Sequence, residues 1–342
     1  MVEKQMTKES QARTVRGWLL GLHATHIVDV GGQLGYFAEL KRRGRATSAR
    51  ELAAALQLDP WRTAVWCRAA CAVGVLQHDG DGFLFAPFMD ELLGGESAEL
   101  ALAHVMANLS RDFAAYPQAF RTGATTGFHE HEDEFFYQQS RISALRAPEI
   151  VAAARKIPGI EARLAAGGKI LDIGSGSGTV LMQFAKAFPA CHAVGVEPLP
   201  YFVDRSRHLI QEQKLGDRVR VEAVSAEHLA FEQEFDLITM VQVLHELPDR
   251  AKADILRRCR QSLRPDGVLL VVDRCVPEVD ADAGDRRFTM SILEQWFEVT
   301  WGNIVNTRSE ILRMLQDTGF VVTAESADLV PTYWTFTAEK AK

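Results

Sequence analysis

Long apolar runs are missing from this chain of 342 residues: none reaches the ~20 residues that a membrane-spanning helix needs, so no membrane partner is expected. The start, Met1 to Gln11, is polar and does not carry the pattern of a signal peptide. Positive charge is also short. Lys and Arg number 38 against 45 Asp and Glu, a net charge of −7 that argues against a nucleic-acid partner held by electrostatics. Cysteine is scarce. The five thiols (Cys67, Cys71, Cys191, Cys259 and Cys275) form no CxxC pair and read as reduced, mostly buried groups of a cytoplasmic protein. What remains, 47% hydrophobic and 24% charged, is ordinary for a soluble globular chain long enough for two domains or one large one.

The most informative stretch is Ile170-Leu171-Asp172-Ile173-Gly174-Ser175-Gly176-Ser177-Gly178. A short apolar strand ending at an acid runs into alternating glycines, and a helical pattern from Thr179 to Phe188 follows. Glycine lets the chain turn off a strand tip and brings backbone N–H groups close to a ligand. The tight GxGxG spacing suits a nucleoside with no pyrophosphate to cradle, such as S-adenosylmethionine (SAM). A second acid, Glu197, ends the next apolar run about 20 residues past the last glycine, the spacing at which an acid holds ribose hydroxyls.

Residues 1–105 read as helices and one small hairpin. A helix rich in Leu, Ile, Val and Trp covers Thr14 to Val28, and Leu34 to Arg43 is amphipathic. Thr47 or Ser48 caps a helix that ends near Leu56. Asp59-Pro60 opens another, running from Trp61 to Val73 and stopping at Gly74. Asp79-Gly80-Asp81-Gly82 then joins two short strands. This order is a winged helix-turn-helix. Its would-be recognition helix carries Arg62 and Arg68 but also Trp61, Val65, Trp66 and Cys67, too apolar and too weakly basic for a phosphate backbone. A homodimer interface is expected instead.

Residues 106–165 read as connecting helices. The insert His129-Glu130-His131-Glu132-Asp133-Glu134 is either a solvated acidic helix start or a lid leading into Phe135-Phe136-Tyr137. Across residues 166–342 strands and helices alternate: Lys169–Ile173, Cys191–Val196, Val219–Val224, Phe235–Val241 and Gly267–Asp273 are the strands. Phe320–Glu325 and Tyr333–Ala338, joined by a link containing Pro331, read as a closing antiparallel hairpin. The expected fold is α/β, a doubly wound seven-stranded sheet behind a mostly α N-terminal domain.

With these elements in order the chain resembles a class I SAM-dependent methyltransferase. It is similar to the two-domain small-molecule subgroup, the caffeic acid O-methyltransferase-like and bacterial natural-product enzymes, with a winged-helix dimerisation domain before the catalytic one. The motifs that carry the resemblance are the glycine stretch above, Gly195-Val196-Glu197, Phe235-Asp236-Leu237-Ile238 and the turn Leu263-Arg264-Pro265-Asp266-Gly267. The resemblance implies SAM held by Asp172, Gly174, Ser175, Gly176 and Gly178 along its amino-acid part, by Glu197 and Pro198 at the ribose, and by Ala226, Glu227 and Gln242 around the rest. Ala226-Glu227 stand where most of the family carries Asp with an aromatic residue.

The chain leaves the fourth strand through Val241-Gln242-Val243-Leu244-His245-Glu246, so His245 falls just past a strand tip, where ligands of open α/β sheets bind. Imidazole is the usual base near neutral pH, and the resemblance places the family's catalytic base at His245, with Asp273 as one flanking acid. The position of the second flanking acid falls near Val305, which cannot orient a histidine. A related bacterial subgroup that C-methylates α-keto acids implies another use of this segment: a divalent metal on His245, Glu246 and Glu298. Glu294 and Glu298 could equally be an exposed helix face. Phe136, Tyr137, Trp296, Phe297 and Trp301, with Glu298, are the expected acceptor-pocket residues. Thioether S-methylation, which needs no base, and a metabolite-sensing transcription regulator are the remaining readings.

Overall fold

The computed structural model describes residues 6–329 and 333–341, and the chain divides into two compact units, residues 1–114 and 115–342. The link at Pro331 lies outside the described residues.

In the first unit α1 (Lys8–Gln33) and α2 (Tyr36–Arg43) are separated at Gly35, whose φ of +77° ends one helix and starts the next. Ser48 and Glu51 form a reciprocal cap at the start of α3 (Ala49–Leu56), and Asp59 accepts from the Arg62 N–H to open α4 (Pro60–Ala72). The hairpin β1 (Leu76–Asp79) and β2 (Gly82–Phe85) follows, then α5 (Met89–Leu93) and α6 (Ala98–Asp112). Tyr36, Phe37, Leu52, Trp66 and Cys67 fill the core of this unit. Trp66 and Cys67 therefore belong to the core rather than to the exposed face of α4, which shows Trp61, Arg62 and Val65. On α1, Trp18 is 68% exposed, and Leu19, Leu20 and Leu22 beside it are also in the open.

The second unit begins with α7 (Tyr116–Thr122), α8 (Asp133–Arg155) and α9 (Ile160–Ala165). Then β3 (Lys169–Ile173), α10 (Thr179–Ala187), β4 (His192–Val196), α11 (Pro200–Glu212) and β5 (Val219–Glu222) build one half of a sheet. The other half is β6 (Phe235–Val241), α12 (Asp249–Ser262), β7 (Leu263–Arg274), α13 (Thr289–Glu298), α14 (Arg308–Asp317), β8 (Phe320–Leu329) and β9 (Tyr333–Lys340). The seven strands run in the order β5-β4-β3-β6-β7-β9-β8; β5 through β7 are parallel, and β9 is antiparallel to β7 and β8. Neighbouring residues of one strand face opposite layers: Ile170 packs with α8, α9 and α10, and Leu171 with α12. The proposed turn Leu263–Gly267 is an irregular start of β7, since Leu263 already pairs with Phe235.

Chain direction across the sheet reverses between β3 and β6, opening a crevice at their carboxyl ends. Gly195 of β4 closes this region from the side: a Cβ there would meet Ser175 Oγ at 2.4 Å and Leu181 Cδ1 at 2.6 Å. We expect Gly195→Ala to lower unfolding stability by about 1–3 kcal/mol through overpacking. Urea unfolding of the two proteins checks this, and an unchanged midpoint would mean that Ser175 can move aside freely.

Candidate active site

Parallel register aligns the acids of the sheet edge. Asp172 sits beside Gly195 and Thr239 in the neighbouring strands, and Thr239 Oγ1 donates to Asp172 Oδ1 at 2.6 Å. Burial pushes the Asp172 carboxyl up to about 7 against the pull of that bond. Past the strand, Gly174 and Gly176 take φ of +61° and +52°; a Cβ on Gly174 would strike Val243 Cγ2 at 2.6 Å, whereas at Gly176 it would enter open space. The Gly176 N–H donates to Glu197 Oε2 and the Leu199 N–H to Glu197 Oε1, both at 2.9 Å. These bonds fix a buried carboxylate at the tip of β4, although burial still raises its pKa. The hydroxyls of Ser175 and Ser177 are buried with no hydrogen-bond partner among the described residues. An anchored carboxylate, unpartnered hydroxyls and an open glycine loop fit the ribose and amino-acid end of a sulfonium nucleoside.

His245 is 2% exposed and follows the tip of β6. Its Nδ1 lies 2.6 Å from Asp273 Oδ1 at the end of β7, and its backbone N–H donates to the same carboxylate at 3.2 Å. Its Nε2 faces Glu298 Oε1 at 3.3 Å. Burial alone would lower the ring's pKa; the carboxylates of Asp273 and Glu298 outweigh it and hold the ring well above 6.5. The acid that the sequence lacks near Val305 is thus supplied by α13. The segment around Val305 does lie beside the histidine, since the Ile304 N–H donates to the His245 carbonyl at 3.2 Å. Glu246 is open to solvent, yet His245, Glu246 and Glu298 bring one ligand atom each within 4.8 Å of one another.

Helix α13 is inverted relative to ordinary amphipathic helices. Its buried residues are Ser291, Glu294 and Glu298, and its exposed ones include Met290, Leu293 and Trp296. The exposed-face reading of Glu294 and Glu298 is therefore overturned: both carboxylates point inward. Glu294 forms an ion pair with Arg274 and accepts from Gln242 Nε2 at 3.0 Å. Trp296 lies on the exposed side of α13, edge-on to Tyr116 and tilted against Phe120.

The other expected positions divide as follows. Phe136 and Trp301 meet around Phe128, whose ring centroid is 5.3 Å from each. Tyr137 instead carries Arg205 over its ring at 5.6 Å. Of the insert at 129–134, only Asp133 and Glu134 open α8; His129 and Glu130 belong to a short turn (Phe128–Glu130). His131 stacks on Phe135 at 4.3 Å and edges Trp301 at 5.2 Å, so part of the insert packs on this aromatic cluster. Ala226 is buried in a short turn capped by Ser225, whereas Glu227 and Pro198 are exposed. Gln242 directs its side-chain amide to Arg146 and Glu294. Arg146, Arg274 and Tyr333, which sequence reading missed, complete that network; the acid-base pair Asp273-Arg274 at a strand end was the available signal.

Residues 170–267 match the family model described as a methyltransferase domain. O-demethylpuromycin-O-methyltransferase of Streptomyces alboniger is 25% identical over 315 residues, 89% of this chain and 82% of that protein. Aclacinomycin 10-hydroxylase RdmB of Streptomyces purpurascens is 31% identical over 159 residues, 46% of this chain and only 40% of that protein. Among solved structures, the mitomycin 7-O-methyltransferase MmcR superposes with a TM-score of 0.78 over 98% of this chain and 99% of that one at 22% identity. The pyocyanin biosynthetic protein PhzM gives 0.75 over 98% and 100% at 21% identity, a likeness of fold.

Proposed function

We propose that this chain, which belongs to the SAM-dependent methyltransferases, methylates a hydroxyl oxygen of a small natural product, with His245 as the base. The observation that carries the reading is a buried imidazole at the tip of β6, oriented through Nδ1 by Asp273 and facing α13 through Nε2. The name of the Streptomyces alboniger relative, an O-methyltransferase matched over most of both chains, supports oxygen as the atom methylated.

When bound, SAM supplies an electrophilic methyl group for in-line transfer. Asp172, Gly174, Ser175, Gly176 and Gly178 would hold its amino-acid end, Glu197 and Pro198 the ribose, and Ala226 with Glu227 the adenine. Phe136 and Trp301 would wall the acceptor. Asp273 keeps the Nδ1 proton in place, which leaves Nε2 to take the acceptor's proton while Glu298 stabilises the imidazolium that forms. Because the folded ring holds its proton well above pH 6.5, the basic form is populated only as pH rises through that raised value.

His245→Ala should cut turnover at least ~100-fold with SAM affinity nearly intact, and wild-type turnover should climb as pH rises above neutral. Glu298→Gln removes one of the two carboxylates and should move that climb to lower pH. Full turnover in His245→Ala, or a pH profile flat from 6 to 9, would rule out this base.

A second reading rests on the spacing of His245, Glu246 and Glu298, which also suits a divalent cation. Such a cation would supply Lewis-acid stabilisation of the enolate of an α-keto acid and redirect the methyl group to carbon. Metal analysis of the purified protein, with turnover before and after chelation, separates the two. Stoichiometric iron, manganese or zinc with activity lost on chelation favours the carbon reading; full activity without metal favours the hydroxyl reading.

We also read the first unit as a winged-helix module that makes the protein a cytoplasmic homodimer. The support is α1, whose Trp18, Leu19, Leu20 and Leu22 surround the helix with exposed apolar surface. Light scattering should give twice the 38.0 kDa chain mass, and replacing Trp18 and Leu22 by Glu should return it to one chain. A monomeric wild type at micromolar concentration would refute the dimer.

A further inference from the structure

Two guanidinium groups converge on one phenol at the edge of the sheet. Tyr333 OH accepts from Arg274 Nη2 at 2.8 Å and from Arg146 Nη1 of α8, and both guanidiniums lie over its ring, at 4.2 and 5.0 Å from the centroid. Glu294 is paired with Arg274 and takes a further bond from Gln242. Arg146, half-buried, has no ion-pair partner among the described residues.

Its position is nonetheless set. Arg146 Nη1 also donates to Gln242 Oε1 at 2.9 Å, and Gln242 is held in left-handed backbone at φ +56°, an uncommon state for a residue with a side chain. Strain of this kind persists where surrounding bonds over-determine it, and it clusters at ligand sites. Gln242 is next to Val243, whose methyl would block a Cβ on Gly174, and three residues before His245. Arg146 is therefore tied to the segment that runs from the glycine-loop contact Val243 to His245. One nitrogen of its planar fork is fixed, and among the described residues it has no counterion.

We propose that Arg146 anchors a carboxylate of the bound ligands, either the amino-acid end of SAM or an acid group on the acceptor. A guanidinium pre-oriented by neutral acceptors loses little freedom on binding and can take a carboxylate in a bidentate grip. The proposal rests on the chain being a SAM-dependent methyltransferase, but not on which atom is methylated or on His245.

Calorimetry on the wild type and Arg146→Gln distinguishes the two sources without turnover. In the first arm, S-adenosylhomocysteine is compared with 5′-methylthioadenosine, which lacks the amino-acid end. In the second, protein saturated with S-adenosylhomocysteine is titrated with 4-hydroxybenzoate and with 4-hydroxybenzamide. If Arg146 holds the carboxylate of SAM, Arg146→Gln weakens S-adenosylhomocysteine by about 10- to 100-fold and leaves methylthioadenosine unchanged. If it holds the acceptor, the first arm is unaffected, the wild type prefers the benzoate at least tenfold, and the variant loses that preference. Equal weakening of both nucleosides, or no carboxylate-dependent change in either arm, overturns the proposal. Should Arg146→Gln fail to fold, Arg146→Lys carries the same comparison, since it keeps the charge and loses the fork. Wild-type protein that does not bind S-adenosylhomocysteine would instead sink the parent reading.

Discussion

Parallel pairing of β3, β4, β6 and β7 forces their carboxyl ends onto one edge, and the tips of these strands carry or lead into Asp172, Glu197, His245 and Asp273. Collecting carboxylates in a buried edge is costly unless each finds a donor. Each does: Asp172 takes the Thr239 hydroxyl, Glu197 two backbone N–H groups, and Asp273 the His245 ring together with backbone N–H groups. Thr239 lies in β6 directly beside Asp172, so the same register that gathers the acids also supplies a partner. These three carboxylates are held by partners within the fold before any ligand arrives, the kind of preorganisation that catalysis draws on, while the Ser175 and Ser177 hydroxyls remain unpartnered among the described residues.

The parts of the site that lie on strand tips were legible from the chain alone, because a strand is a local pattern and its last residue can be named. Asp172, Glu197, His245 and Asp273 all follow this rule. Gln242 obeys it by position only, since its side chain turns away to partners 96 residues earlier and 52 residues later. Nothing local announces such bonds. Arg146 and Tyr333 meet across 187 residues, and only the closing of the sheet by β9 brings them together.

Helix α13 defeated local reading for a different reason. Glutamates four apart usually mark a solvated face, and apolar residues the buried one. Here Met290, Leu293 and Trp296 face out, and the acids face the Arg274 and His245 side chains. An inward charge is tolerable only where an opposite charge waits, and Arg274 at the end of β7 supplies it for Glu294.

That inversion makes the length of α13 as constrained as its composition. One extra residue in a helix turns everything beyond it by about 100°. Inserted before Glu294, it would swing both carboxylates toward solvent and bring an apolar side chain against His245, with every strand and glycine turn untouched. A reading frame of ten residues, rather than any single contact, thus keeps the acids on the inside.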